Sequence, residues 1–337
     1  MKIAFTVCSN NYLAQAKTLG DSLLFYNPDY KFVIGLCDEL SDQIDYSFFE
    51  NIEIIPVSQI DIYCYKEILE KYNIIELNTS IKPSFFKYFI SKYDNLETVI
   101  YFDPDIQIFN NLNLLEDYLK EDDVLLTPHI QYPITVDDYH PSESTFLKFG
   151  IYNLGFIALN PKSKNAKKLL DWWEDKTLKI GYDKPGHGLF VDQLWINYAP
   201  IFFDKVKVLK EYGFNFAPWN LHERSISKID NEYIMSDNSK LVFYHFSSFN
   251  YKNPEKFAKS YNRHDSVALS EELFDLHLQY KNKIVANKIE DFKQLKCALV
   301  DKKNEFKAEK FSLKNFILYK ISPPILLDFY KKMKTKN

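Results

Sequence analysis

The sequence predicts an α/β fold with a largely parallel central sheet. In the first part of the chain, short apolar runs rich in strand-forming residues alternate with segments whose apolar residues recur at helical spacing. Several of these runs end in polar or acidic residues. Strands that alternate with helices are typical of a parallel sheet covered by helices. Because ligands gather at the carboxyl ends of such strands, we expect the functional residues at these polar strand ends.

Four strands and two helices are predicted in this first part. The predicted strands are residues 2–8, residues 31–39, a short strand within 51–60, and residues 98–105. The first helix, over residues 12–26, has apolar side chains at helical spacing and ends in a turn at 27–29. The second helix covers residues 81–93 and opens near Pro83, since proline is favoured in a first helical turn.

The rest of the chain has a less regular pattern. The predicted strands are 122–130, 152–160 and 240–246, and the predicted helices are an amphipathic one over 165–176 and one that begins in 190–203. Beyond about residue 265, helical patterns such as 269–284 lead into a basic tail. We therefore expect one catalytic domain over residues 1–265, with residues 266–337 as a helical extension of it.

The composition excludes several classes of protein. With 46% hydrophobic and 26% charged residues, the chain is typical of a soluble globular protein. Its net charge of −4 argues against nucleic acid as the main partner. The absence of GxGxxG and GxxxxGK(S/T) patterns argues against a Rossmann dinucleotide site or a P-loop. The four cysteines are widely spaced and no secretory or membrane-spanning segment is recognisable, so we expect a cytoplasmic protein with reduced thiols.

The charge is unevenly distributed along the chain. Residues 302–337 contain ten lysines against three acidic residues, a net charge of +7, which leaves −11 on the rest of the chain. These lysines are interleaved with Phe, Leu, Ile and Tyr, a pattern suited to peripheral contact with the anionic inner face of the cytoplasmic membrane. A solvated helical tail or a contact with another protein explains the pattern equally well.

Two aspartates follow the fourth predicted strand in the segment YFDPD. Asp103 and Asp105 would repel one another at the end of a buried strand, and each would resist ionisation. A divalent cation such as Mg²⁺ or Mn²⁺ prefers oxygen ligands and would relieve that repulsion. The alternative is that the pair only caps a turn, since Asp-Pro-Asp is common turn chemistry. This motif alone does not separate the two interpretations.

Three further segments place polar side chains beside apolar runs. His245, in YHFSSF, is either a nitrogen ligand for the same cation or a hydrogen-bonded core residue. Asn153 and Gly155 allow an amide contact and a close backbone approach to a ligand, or they mark a bulge in a core strand. Asp192 and Gln193 stand together at an expected helix start, where Asp192 has the alternative role of an N-cap.

Taken in order, the segments SNNY, YFDPD, YNLGFIALN, DQLWIN and YHFSSF resemble those of nucleotide-sugar glycosyltransferases of the GT-A fold. The set is especially similar to the retaining enzymes of glycosyltransferase family eight and their bacterial relatives. It covers approximately residues 1–250, and an ordered set is more specific than a lone DxD motif. The resemblance implies a GT-A fold for residues 1–265, in which a Rossmann-like, mostly parallel sheet is flanked by helices.

The resemblance also implies a role for each matching residue. The implied donor-binding residues are Thr6, Asn10, Asn11, Tyr12, Lys82, Asp103, Asn153 and Lys252. The implied ligands of Mn²⁺ or Mg²⁺ are Asp103, Asp105 and His245. Asp192 and Gln193 are the implied catalytic residues, beside the reacting carbon of the sugar and the acceptor. The implied partners are a UDP-sugar donor and a saccharide or lipid-linked saccharide acceptor.

The sequence departs from the family pattern at two places. Pro104 replaces the small residue that commonly separates the two aspartates, which stiffens the turn and removes no ligand. Family members often follow the metal-binding histidine with a glycine and then a lysine that contacts the diphosphate. Ser247 and Ser248 stand where the glycine would help, and Lys252 is the nearest downstream lysine.

The implied reaction is the transfer of a hexose with retention of the anomeric configuration. A metal ion would stabilise the leaving diphosphate, and a front-face displacement is favoured because no pair of nucleophilic carboxylates is recognisable. Asp192 is an alternative nucleophile or electrostatic stabiliser. An inverting GT-A transferase with Asp192 as base and a non-catalytic carbohydrate-binding protein are further alternatives. A nucleotidyltransferase would need a glycine-rich phosphate loop, which the sequence lacks.

Overall fold

The structure, a computed structural model, describes residues 1–266 and 270–300. Its strands are β1 Lys2–Cys8, β2 Tyr30–Leu36, β3 Ile52–Pro56, β4 Thr98–Phe102, β5 Ile106–Ile108, β6 Val124–Pro128, β7 Tyr152–Leu159, β8 Asp183–Lys184, β9 Leu189–Phe190, β10 Val206–Val208, β11 Ile226–Ile229, β12 Glu232–Met235 and β13 Phe243–His245. Its helices are α1 Leu13–Tyr26, α2 Tyr65–Lys71, α3 Ile74–Ser80, α4 Lys82–Lys92, α5 Asn113–Glu121, α6 Glu143–Phe149, α7 Lys164–Ile180, α8 Ala199–Phe202, α9 Glu271–Ala286 and α10 Ile289–Phe292.

Seven strands form the central sheet in the order β10-β6-β7-β4-β1-β2-β3. Strands β4, β1, β2 and β3 pair in parallel, and so do β6 and β10. Strand β7 runs antiparallel to both of its neighbours, β4 and β6. The α/β fold with a mostly parallel sheet, predicted from the sequence, is confirmed.

Helices cover both faces of this sheet. Successive side chains of a strand point to opposite faces, so apolar strands need cover on both sides. On one face, Phe5 of β1 packs edge-on against Phe86 and Phe89 of α4, and α7 lies beside α4. On the other face, Ala4 joins a core that includes Leu19 of α1. Near-continuous burial of the strands follows from this double cover.

Helices α9 and α10 pack on α1, and their apolar side chains belong to the same core as that helix. Leu276, Tyr280 and Phe292 are each at most 5% exposed. All described residues up to 300 lie in one compact unit. The functional boundary at residue 265 stays a prediction, and the basic segment 302–337 lies outside the described residues. Within the part that the structure describes, no helix has the length and apolar character needed to cross a membrane.

The structure differs from the prediction in two segments. The helix expected to begin in 190–203 is short and irregular: strand β9 ends at Phe190, and the helical stretch that follows consists of a 3₁₀ segment, Leu194–Tyr198, and the single turn of α8. The segment 226–235, for which no structure was predicted, is the hairpin β11–β12. Its two turn residues, Asp230 and Asn231, both have positive φ (49° and 65°), as a type I′ turn requires.

Candidate functional site

The turn after β4 brings Asp103 and Asp105 beside His245. The Asp103 amide donates to the carbonyl of Gly155 at 2.7 Å, and the chain then reverses into β5. Strand β5 pairs with β13 so that Ile106 lies opposite His245. This register sets the imidazole directly against the two carboxylates, although His245 is far from them in sequence.

These three side chains fit a divalent cation. One ligand atom from each lies within 4.8 Å of the others. His245 Nε2 is 3.1 Å from Asp105 Oδ1 and 4.0 Å from Asp103 Oδ2. Burial alone would lower the pKa of His245, but the carboxylates of Asp105 and Asp103 raise it. Two carboxylate oxygens and one imidazole nitrogen form a ligand set suited to a transition-series cation such as Mn²⁺.

Lys82, at the start of α4, bridges Asp103 to Asp192. Its Nζ is 3.2 Å from Asp103 Oδ1, 3.0 Å from Asp192 Oδ2 and 3.1 Å from the carbonyl of Leu154. Burial would lower the pKa of Lys82, but the two carboxylates raise it. The Tyr101 hydroxyl also donates to Asp103 Oδ1, at 2.5 Å. Since Oδ1 is thus engaged, Asp103 Oδ2 is the oxygen turned toward His245.

Asp192 is held in a strained turn, and the N-cap interpretation is wrong. The residue is 1% exposed, and its carboxylate pairs with Lys82 while the following 3₁₀ segment has no side-chain cap. Burial raises the pKa of Asp192 to about 6, even though Lys82 opposes this. Val191 precedes it with φ of 38°, a conformation unfavourable for a β-branched residue. Such strain is characteristic of functional sites.

Both ends of the Gln193 side-chain amide are hydrogen-bonded to the backbone. Its Oε1 accepts from the Leu154 N–H at 2.8 Å, and its Nε2 donates to the carbonyl of Phe149 at 2.9 Å. A Cβ at Gly150, where φ is 131°, would lie 2.8 Å from Gln193 Cγ. Gln193 therefore fixes the start of β7, which also carries the carbonyl that contacts Lys82.

Two adjoining clefts meet at this cluster, and both are lined by Lys82, Asp103 and Asp105. The first, about 240 Å³, extends along the loop after β1, where Asn11 and Tyr12 line it. The second, about 420 Å³, extends over β7 and the turn after β9. Asn153, Asp192, Gln193 and His245 all line the second cleft.

Three of the predicted donor-binding residues do not line either of these two clefts. Asn10 is buried behind the loop, where its Nδ2 donates to the carbonyl of Glu39 at 2.9 Å. Thr6 is completely buried within β1 and does not line either described cleft. Lys252 is an exposed residue whose Nζ lies 3.9 Å from Glu290. Ser248 adopts φ of 58°, so this loop does use the conformation that favours glycine.

Sequence reasoning missed several residues of the second cleft, notably His129, Trp219 and Tyr261. Trp219 packs edge-on against His245, with ring centroids 5.1 Å apart. Its indole Nε1 is buried and has no hydrogen-bond partner among the described residues. Trp219 and Tyr261 do not follow a predicted strand, so only the assembled fold reveals them, whereas His129 directly follows β6 and could have been selected by its place at a strand end.

The Gly155→Ala variant is expected to displace His245 and weaken divalent-cation binding at least about tenfold. An added Cβ would lie 2.5 Å from His245 Cε1 and 2.7 Å from Asn153 Oδ1, closer than real contacts allow. Loss of the free Mn²⁺ signal in electron paramagnetic resonance measures the affinity. Gly186→Ala is the matched control, because no atom lies within 4 Å of a Cβ there. Equal affinity in both variants would contradict the role of Gly155.

No family model matches the sequence. Two relatives from Bacillus subtilis (strain 168) are themselves uncharacterised proteins. YfnF is 26% identical over 247 residues, which are 72% of this chain and 80% of YfnF. YfnD is 25% identical over 182 residues, which are 53% of this chain and 55% of YfnD.

Solved structures of glycosyltransferases are similar to this chain. The bifunctional glycosyltransferase WbbM matches with a TM-score of 0.51 and 13% identity, over 85% of this chain and 51% of WbbM. GlyE of Streptococcus pneumoniae TIGR4 matches with a TM-score of 0.48 and 14% identity, over 86% of this chain and 64% of GlyE. The galactosyltransferase LgtC, in complex with donor and acceptor sugar analogues, matches with a TM-score of 0.45 and 15% identity. The match covers 82% of this chain and 100% of LgtC. The chain has the GT-A fold, as the sequence resemblance implied.

Proposed function

We propose that this protein is a metal-dependent glycosyltransferase that moves a hexose from a UDP-sugar to a hydroxyl group of a saccharide or glycolipid. The observation that carries the proposal is the convergence of Asp103, Asp105 and His245 at the junction of two clefts. A nucleotide sugar has a matching arrangement. Its charged diphosphate lies between the nucleoside and the sugar, as the three side chains lie between the two clefts. The likeness in fold to glycosyltransferases supports the same conclusion.

The nucleoside is assigned to the first cleft. Tyr12, 43% exposed at the cleft wall, offers a ring for the base, and the neighbouring Asn11 offers an amide for its polar edge. Asp103 then stands between the ribose and the cation site. Lys82 places a buried positive charge beside the position of the diphosphate.

Asp103, Asp105 and His245 would hold Mn²⁺, or Mg²⁺, in this site. When bound, such a cation supplies Lewis-acid stabilisation of the negative charge that accumulates on the leaving diphosphate. Lys82 adds a fixed positive charge and keeps Asp103 Oδ2 directed at the site. These groups are ordered by the protein before the donor arrives, which makes the stabilisation effective.

The sugar and the acceptor are assigned to the second cleft. Tyr261 and Phe190, both partly exposed, line it with aromatic rings, which suit the apolar faces of sugar rings. Asp192 lies beside the reacting carbon in this arrangement, where a buried carboxylate paired with Lys82 stabilises positive charge on the sugar.

Retention of configuration is proposed with a front-face attack by the acceptor hydroxyl. The raised pKa of Asp192 also suits a general base, as an inverting transferase would require. Nuclear magnetic resonance of the anomeric linkage in the product separates these two mechanisms. The proposed setting is polysaccharide biosynthesis in the cytoplasm, with segment 302–337 at the inner face of the membrane. Sedimentation of the full chain with anionic liposomes tests that contact.

A screen of nucleotide sugars with and without Mn²⁺ tests the proposed function. We expect at least one UDP-sugar to raise the melting temperature and to be slowly hydrolysed to UDP, both only when Mn²⁺ is present. The same sugars linked to GDP serve as the matched control for the base. Binding without hydrolysis, independent of Mn²⁺, would instead indicate a non-catalytic carbohydrate-binding protein.

A further inference from the structure

A row of buried polar groups leads from the backbone of β7 to the imidazole of His245. His129 Nδ1 is 3.3 Å from the carbonyl oxygen of Ile151, and His129 Nε2 is 3.2 Å from Asn153 Nδ2. At the other end of the same amide, Asn153 Oδ1 is 3.2 Å from His245 Nδ1. His129, Asn153 and His245 are 4 to 8% exposed, so water has little access to the row.

The direction of every hydrogen bond in this row follows from the bond between His129 and the backbone of Ile151. A carbonyl oxygen only accepts, so His129 Nδ1 carries a proton and donates to Ile151. His129 is neutral at ordinary pH, because burial lowers its pKa to about 4. Its Nε2 therefore has a lone pair and accepts a hydrogen bond from Asn153 Nδ2. This bond orients the amide with its oxygen toward His245.

Two further donors hold the Asn153 amide in that orientation. The Gly155 N–H donates to Asn153 Oδ1 at 3.2 Å, and Asn215 Nδ2 donates to it at 3.1 Å. Asn215 is completely buried, and its amide also contacts Thr127. A flipped amide would set its NH₂ group against all of these donors. Asn153 therefore presents an acceptor to His245 Nδ1.

We propose that Asn153 is a positioning residue that keeps the proton of His245 on Nδ1 and leaves Nε2 as the metal-binding nitrogen, with His129 orienting Asn153 from behind. The inference rests on the proposed metal site. An imidazole binds a cation through a nitrogen that lacks a proton, and the bond made by its other nitrogen selects which one that is. His245 Nε2 is the nitrogen that faces Asp103 and Asp105.

Titration of the full chain with Mn²⁺, followed by electron paramagnetic resonance of the free ion, tests this inference. We expect Asn153→Leu to weaken Mn²⁺ binding by about 10- to 100-fold, the usual effect of losing such a partner. Asn153→Asp restores an acceptor for His245 Nδ1, so it should bind Mn²⁺ more tightly than the leucine variant. His129→Phe should cause a smaller loss, because Gly155 and Asn215 still orient the amide. The phenylalanine ring in the His129→Phe variant also keeps the stacking on Phe146, whose ring centroid is 5.0 Å from that of His129 in the parent.

His277→Phe is the matched control. His277 is also a buried histidine with both ring nitrogens engaged, by the Tyr244 hydroxyl and the carbonyl of Pro254, and it does not contact Asn153. It should bind Mn²⁺ like the parent. Titrations are run well below each variant's melting temperature, so that loss of folding does not enter the measured affinity.

The outcomes separate the two levels of the proposal. A parent chain that binds Mn²⁺ no better than Asp105→Asn would overturn the metal site itself. A parent that binds, with Asn153→Leu binding equally well, would leave the metal site intact and overturn the positioning role. Equal weakness of Asn153→Leu and Asn153→Asp would also overturn it, since the acceptor would then not matter.

Discussion

The Asp105→Asn variant is expected to lose the proposed Mn²⁺-dependent hydrolysis and transfer of a UDP-sugar by about 10²- to 10³-fold, because Lewis-acid stabilisation contributes several kcal/mol. Asparagine keeps the shape of the side chain but removes the charge that faces His245 Nε2 at 3.1 Å. Release of UDP, measured with saturating donor and Mn²⁺, reports the loss. Removal of metal from the parent by a chelator should reproduce it.

This substitution should have little effect on the melting temperature. The change removes an ion pair with His245, but it also removes repulsion between two neighbouring carboxylates, and Asp105 is one-quarter exposed. Asp230→Asn, an equivalent change at the exposed turn of the hairpin β11–β12, is the control and should leave turnover unchanged. If Asp105→Asn retained full Mn²⁺-dependent activity, the assignment of the metal ligands would be wrong.

The ends of strands were predictable because they depend on local pattern. Apolar runs gave β1, β2 and β4, and the edge rule for parallel sheets placed Asp103 and the loop after β1 at one end of the sheet. The same reasoning selected His245 only as a residue beside an apolar run. Its contact with Asp105 depends on the pairing of β5 with β13, which joins distant parts of the chain and has no local signature.

The network behind the site could not be predicted for the same reason. His129 directly follows β6, whereas Asn215 and Trp219 both come from the connection between β10 and β11, and their contacts are visible only in the folded protein. Gly155 was expected to admit a ligand, whereas its missing side chain makes room for the His245 ring. The helix predicted to begin in 190–203 is mostly 3₁₀ and starts only after the strained turn that holds Asp192, a turn that the apolar pattern of this segment does not indicate.

Lys82→Met is expected to lower the free energy of unfolding by about 3–5 kcal/mol at neutral pH, the usual cost of leaving one partner of a buried ion pair alone. The partner left unpaired is Asp192, which is 1% exposed, whereas Asp103 is accessible enough to be hydrated. Urea denaturation measures the change. Lys92→Met is the control: it removes a lysine from the same helix, but this lysine is 38% exposed and its partner Glu53 is 34% exposed, so the loss should cost about 1 kcal/mol or less.

The pH dependence of the Lys82→Met defect identifies its cause. In the parent, the pKa of Asp192 is already raised to about 6, above its ordinary value of 3.8, so its ionisation opposes folding as pH rises through that range. Loss of Lys82 raises this pKa further, because the lysine is what favours the charged form. The defect should therefore shrink as the pH is lowered and Asp192 becomes protonated and neutral.

A second substitution separates stability from catalysis at this pair. Lys82→Met combined with Asp192→Asn removes both charges and should recover most of the lost stability at neutral pH, since no buried charge is left alone. Transfer activity should not recover, because both residues line the second cleft and both charges are part of the proposed chemistry. Recovery of activity together with stability would show that the Lys82–Asp192 pair only supports the fold. A single variant as stable as the parent would show that the pair is not buried in solution.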